Sequence, residues 1–96
     1  MFARVSTMQA SPDRIDELAR RFQEQAVPIV RQISGFKGTY LLANRQTGTV
    51  QGVSLWETEE AMRASEVEIE PRRREAAQAM GATLQSVEAY EVIAQA

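Results

Sequence analysis

Every extended segment after the first is apolar on both of its alternating parities, and the chain carries only two helical stretches to cover them. Residues 36–44 place Phe36, Tyr40 and Leu42 on one parity, Leu41 and Ala43 on the other. Residues 50–57 divide Val50 and Trp56 from Val53 and Leu55; residues 84–94 divide Leu84, Tyr90 and Val92 from Val87, Ala89 and Ile93. A sheet with one wet face reads as apolar residues alternating with polar ones. These strands do not alternate cleanly, so both faces of their sheet are expected to be buried.

The order of elements follows from periodicity and capping chemistry. Residues 2–9 alternate as a first strand. Ser11 can cap a helix, Pro12 suits its first position, and Asp13 favours the positive end of the dipole. Ile15, Leu18, Ala19, Phe22, Ala26, Ile29, Val30 and Ile33 then recur at steps of three and four. Pro28 interrupts this stripe and predicts a kink or a restarted last turn. Gly35 offers the left-handed closure. Arg45-Gln46-Thr47-Gly48-Thr49 reads as a hairpin loop between strands 36–44 and 50–57. Thr58 caps a second helix with Glu59 and Glu60 in its first turn, Pro71 is expected to start a new helical segment, and Gly81 stops it. The result is one α+β domain over residues 1–96, with a split β-α-β-β-α-β order and a four-stranded sheet.

Two helices shield one face of such a sheet. The other needs a second layer, and the economical source is the sheet of a second copy, a homodimer related by a two-fold axis. Four apolar side chains withdrawn from water would contribute roughly 6–12 kcal/mol gross per subunit. The alternative is a monomer with a patchy apolar surface.

Composition closes several functions. The 96 residues hold no cysteine and no histidine. That removes disulfides, thiolate metal sites, the commonest metal ligand and the usual neutral-pH base. A net charge of −2 supplies no basic field for nucleic acid or an anionic membrane. No basic leader followed by an apolar run is visible at the start, so the expected address is the cytoplasm.

The run Gly35-Phe36-Lys37-Gly38, then Tyr40-Leu41-Leu42, Thr47-Gly48 and Val53-Ser54-Leu55-Trp56-Glu57-Thr58-Glu59-Glu60-Ala61 resembles the antibiotic-biosynthesis-monooxygenase-like proteins. These form a dimeric α/β-barrel superfamily with ferredoxin-like subunits. The resemblance covers nearly the whole chain. It implies an antiparallel ferredoxin-like sheet, a homodimer, and a pocket for a flat phenolic or quinone-like substrate between sheet and helices. Haem-degrading relatives are similar at Trp56 but use a histidine on the second helical region and an asparagine on the first strand. This chain has neither, so haem degradation by that route is not expected.

The implied activity is cofactor-free oxygenation of an aromatic or polyketide-like metabolite, with no cofactor and no metal. The alternative is a non-catalytic dimeric module that binds a small molecule. The side chains available to hold a ligand are Trp56, Tyr40, Arg4, Ser6, Asn44 and Tyr90. Trp56, Tyr40 and Asn44 fall on parities that could share one face, and Arg4 and Ser6 share a parity on the first strand. Each has a plain structural reading beside the functional one: an indole that packs, tyrosines at a rim, an arginine in an ion pair. The run from Glu66 to Arg74 reads as solvated helical ion pairs, with Glu68–Arg72 and Glu70–Arg74 in the favourable order. No catalytic residue is singled out.

Overall fold

A computed structural model describes residues 1–96. Strands β1 (Phe2–Gln9), β2 (Phe36–Asn44), β3 (Thr49–Trp56) and β4 (Thr83–Glu91) form one antiparallel sheet in the order β2-β3-β1-β4. The first crossover is a 3-10 turn (Pro12–Arg14), α1 (Ile15–Arg21), a π-helical turn (Phe22–Ala26) and α2 (Val27–Val30); the second is α3 (Glu59–Ala79). This is the ferredoxin-like arrangement, α+β with both crossovers helical.

The two prolines act differently from one another. Pro28 cannot donate to the carbonyl four residues back. The helix widens just before it, and the Val27 amide reaches Phe22 five residues back. The apolar stripe therefore continues past Pro28, with Val30 in the core. Pro71 starts no new segment: α3 runs through it as one helix of 21 residues. The carbonyl that Pro71 leaves unbonded belongs to Val67, 81% exposed, where water can take the bond. At the helix starts, Thr58 Oγ1 accepts from the Ala61 amide at 3.1 Å, whereas the Ser11 side chain makes no capping bond.

Register decides which side chains meet. Phe2, Arg4, Ser6 and Met8 of β1 lie opposite Trp56, Ser54, Gly52 and Val50 of β3, all facing the helices. On β2, Phe36 pairs with Trp56 but Gly38 pairs with Leu55, so a bulge at Lys37 inserts one extra residue. Beyond it the parity reverses. Thr39 and Leu41 face the helices, while Tyr40, Leu42 and Asn44 face away. The expectation that Trp56, Tyr40 and Asn44 share a face is thereby corrected.

Two apolar clusters hold sheet and helices together. Met8, Ala10, Ile15, Leu18, Val50 and Met80 form one; Val30, Trp56 and Met62, with Phe2, Ile33, Phe36, Ala61 and Ile69 against them, form the other. The opposite face of the sheet carries Val5, Val53 and Leu55, half-buried, and Tyr40, Leu42 and Tyr90, exposed. No helix of this chain lies over it. No helix is long and apolar enough to cross a membrane.

Candidate ligand cavity between sheet and helices

A cavity of about 230 Å³ opens between the two clusters, under the helices and over the middle of the sheet. Met8, Leu18, Phe22, Ile29, Val30 and Ile69 supply much of its apolar wall. Its floor is cut by small residues: Gly52 sits beside Ser6 and Leu41, and a Cβ there would come within 3.0 Å of Ser6 Oγ. Arg4, Ser6, Thr39 and Ser54 give the sheet side polarity, and Arg72 and Arg73 approach from α3.

Arg4 is the most unusual residue of the site, an arginine in mid-strand that is 5% exposed. Its Nε lies 3.0 Å from Glu66 Oε1, and its Nη2 donates to the Met62 carbonyl and, at 2.9 Å, to Ser65 Oγ. The guanidinium carbon stands 5.7 Å from the centre of the Trp56 ring. Nη1 is sealed from solvent and has no hydrogen-bond partner. Glu66 is shared with Arg73, whose Nη2 lies 2.7 Å from the same Oε1 and whose side chain is 8% exposed. Burial pushes the Arg4 guanidinium below its usual range, opposed by Glu66 and assisted by the like charge of Arg73. An arginine remains charged regardless.

The structure divides the six predicted ligand residues. Arg4 and Ser6 line the cavity. Trp56 does not: it is fully buried beneath Arg4, packed edge-on against Phe36 at 5.6 Å, with its Nε1 donating to Ser54 Oγ at 2.9 Å. Asn44 closes the hairpin, its Oδ1 accepting from the amides of Gln46 and Thr47. Tyr40 and Tyr90, 61% and 50% exposed, stand on the far face of the sheet. A hydrogen bond to Glu88 holds the Tyr90 phenol above its usual range. Tyr40 borders a second cleft along the outer edge of β2.

The sequence reading counts Glu66 and Arg73 among solvated helical pairs, whereas the structure sets both against the buried Arg4. The exposed pairs Glu68–Arg72 and Glu70–Arg74 are present as expected, but Glu66 and Arg73 are different. They are two helical turns apart, on the same stripe as Met62, Ile69, Ala76 and Met80. Charged residues at core positions of an apolar stripe were the available signal.

Several known proteins share this architecture. The family model for antibiotic biosynthesis monooxygenases matches residues 1–67. Two uncharacterized proteins of Mycobacterium tuberculosis, Rv2557 and Rv2558, are 35% identical over 94 residues and 38% identical over 77 residues. The matches cover 98% and 80% of this chain, but 42% and 33% of those proteins, so the chain spans well under half their length. The structure of a monooxygenase from the gene ActVA-Orf6 of Streptomyces coelicolor, in complex with nanaomycin D, is similar with a TM-score of 0.72 at 19% identity. It covers 99% of this chain and 92% of that one. The heme-degrader MhuD of Mycobacterium tuberculosis, with two hemes bound, is similar with a TM-score of 0.73 at 21% identity, covering 100% of this chain and 99% of that one.

Haem does not fit the cavity of this chain. There is no histidine or cysteine to ligate iron, and both tyrosines lie on the other side of the sheet. The volume of about 230 Å³ is below the ~300–1,000 Å³ of sites for drug-sized ligands, and haem exceeds most of those.

Proposed function

Because the chain belongs to the antibiotic biosynthesis monooxygenase family, we propose that it is a small cofactor-independent oxygenase acting on an aromatic or polyketide-like metabolite held between sheet and helices. The observation that carries this reading is the cavity itself. Its volume of about 230 Å³ exceeds the ~150 Å³ of an engineered apolar cavity that takes up benzene, so it admits one ring with substituents.

The chemistry asks little of the protein. A phenol that loses its proton can pass its own electrons to dioxygen. One oxygen atom enters the ring, the other leaves as water, and a quinone remains; the ring is oxidised and oxygen reduced without a further reductant. The protein must bind the ring, exclude water and stabilise the anion. The apolar wall meets the first two demands and the arginines of the sheet and α3 the third. A homodimer completes the reading, with Val53, Leu55, Tyr40 and Leu42 of each copy covering the other's open face.

A specific observation favours a second reading, a binding module without turnover. Glu75 is the only carboxylate lining the cavity, and no histidine, cysteine or tyrosine accompanies it. Oxygen-electrode measurements separate the two. The oxygenase reading expects the purified protein, with no added metal or flavin, to speed oxygen uptake with small hydroquinones or naphthols above their own autoxidation. Ala76→Leu, which narrows the cavity at a residue in its wall, is expected to abolish that gain while leaving the fold intact. Binding of the same compounds with no added uptake would establish the module instead.

A further inference from the structure

We propose that Gly52 and Ser6 select the ligand of this cavity. The glycine leaves a notch in the sheet floor for the edge of a ring, and the Ser6 hydroxyl beside it donates to a hydroxyl or keto oxygen on that edge. The inference rests on the small-molecule reading above and names two residues that decide which ring binds.

Gly52 is a glycine that its own backbone does not require. It lies on β3, an inner strand between β1 and β2, where glycine weakens the sheet through its extra freedom and its lack of a side chain to pack. The positive φ found at Gly35, Gly38, Gly48 and Gly81 is absent here, so its extended conformation suits any residue. Space is what it provides. Gly52 pairs with Ser6 on one side and Leu41 on the other, on the face turned to the helices. A Cβ there would meet Ser6 Oγ at 3.0 Å and Leu41 Cδ1 at 3.9 Å, with no other atom within 4 Å beyond its neighbours in the chain. Above it is the cavity, which Gly52 lines. A glycine inside a strand marks the close approach of another group, and no side chain of this chain makes that approach.

The polar partner follows from the state of the three hydroxyls on the same floor. Thr39 Oγ1 donates to the Val53 carbonyl at 2.9 Å, and Ser54 Oγ is turned to the Trp56 indole, from which it accepts at 2.9 Å. Ser6 Oγ reaches the Gly52 carbonyl only at 3.4 Å, past the usual range for a hydroxyl bond. Its proton is the one most easily drawn to a ligand. The 3.0 Å between that oxygen and the missing Cβ sets the hydroxyl at the side of the notch. A ring standing over Gly52 therefore brings an edge substituent within reach of Ser6, and an oxygen there gains a hydrogen bond that a methyl group does not. The apolar wall takes the faces of the ring.

Equilibrium dialysis with 1-naphthol and 1-methylnaphthalene, which differ by a hydroxyl in place of a methyl group, tests both residues. Gly52→Ala is expected to weaken 1-naphthol binding at least about fivefold, as an intruding methyl group does in a packed site. Its melting temperature is expected not to fall, since alanine is the better residue in a strand. Ser6→Ala is expected to lower the ratio of naphthol to methylnaphthalene affinity about three- to tenfold, the size of one neutral hydrogen bond, while methylnaphthalene binds as before. Should Gly52→Ala not fold, the same comparison is made between Ser6→Ala and the double variant, in which the new Cβ has no hydroxyl to meet. Naphthol bound undiminished with alanine at position 52 would overturn the inference, and so would an unchanged ratio in Ser6→Ala. Either result leaves the small-molecule site standing. Binding of neither compound by the unaltered protein would bring down both readings.

Discussion

Replacing Trp56 by alanine is expected to cost about 3–5 kcal/mol of folding free energy, the range for a large aromatic removed from a core. Trp56 is completely buried and meets three separate neighbours. Its edge packs against Phe36, its Nε1 donates to Ser54, and its face lies under the Arg4 guanidinium. Alanine leaves a void beneath a buried charge, so the transfer loss and the cavity loss add. Against a whole-domain stability of about 5–15 kcal/mol, this would bring the fold close to its limit. Urea denaturation should show the midpoint falling by more than about 1 M, given slopes of roughly 1–3 kcal/mol per molar for small proteins. Trp56→Phe, which keeps a ring but loses the bond to Ser54, should fall by much less. A loss below about 1 kcal/mol for the alanine variant would mean that Trp56 is not the pillar described.

Gly48→Ala is the other large effect, expected at about 2–5 kcal/mol. Gly48 has φ +80° and closes the β2–β3 hairpin against the end of β1. Its carbonyl accepts from the Ala10 amide at 2.9 Å, and its own amide donates to the Asn44 carbonyl at 2.8 Å. A left-handed alanine costs about 1–2 kcal/mol. Its Cβ would stand 2.2 Å from the Ala10 carbonyl oxygen, which is backbone and cannot swing aside. Forcing the hairpin away adds about 1–3 kcal/mol, as overpacking does. Gly48→Asn tests the division, since asparagine tolerates the left-handed region but brings the same Cβ. It should recover only part of the alanine loss. Full recovery in a melting experiment would show that conformation, not contact with β1, is what Gly48 provides.

What the sequence disclosed and what it concealed have a common physical cause. Local signals carried β1 and β2 to their observed limits, placed the Gly48 turn and identified the Thr58 cap, because each depends on neighbours along the chain. The bulge at Lys37 is not local in this sense. It exists because β2 must meet β3 in a given register, and it moved Tyr40 and Asn44 to the face opposite Trp56. Pro71 misled for a similar reason: a proline on an exposed side of a long helix is tolerated, and exposure is a tertiary property. Arg4 and Ser6 were found through their parity on β1. Glu66 and Arg73 were not, since an acid and an arginine seven residues apart on a charged helix look like surface residues until the strand beneath is in place.

The apolar faces were legible from the start and carry the account of how the chain works. One face is closed by α1, α2 and α3, which make the cavity; the other shows Tyr40, Leu42 and Tyr90 to water in the isolated chain. Covering it with a second sheet, as proposed above, would back the strand that bears Arg4 and would couple assembly to the cavity through β1.

Sedimentation equilibrium of the purified protein tests that central claim most directly. The account predicts a species of twice the 10.7 kDa chain mass, persisting on dilution and reduced to one chain by Leu55→Asp on the open face. A single 10.7 kDa species at the highest attainable concentration would contradict it.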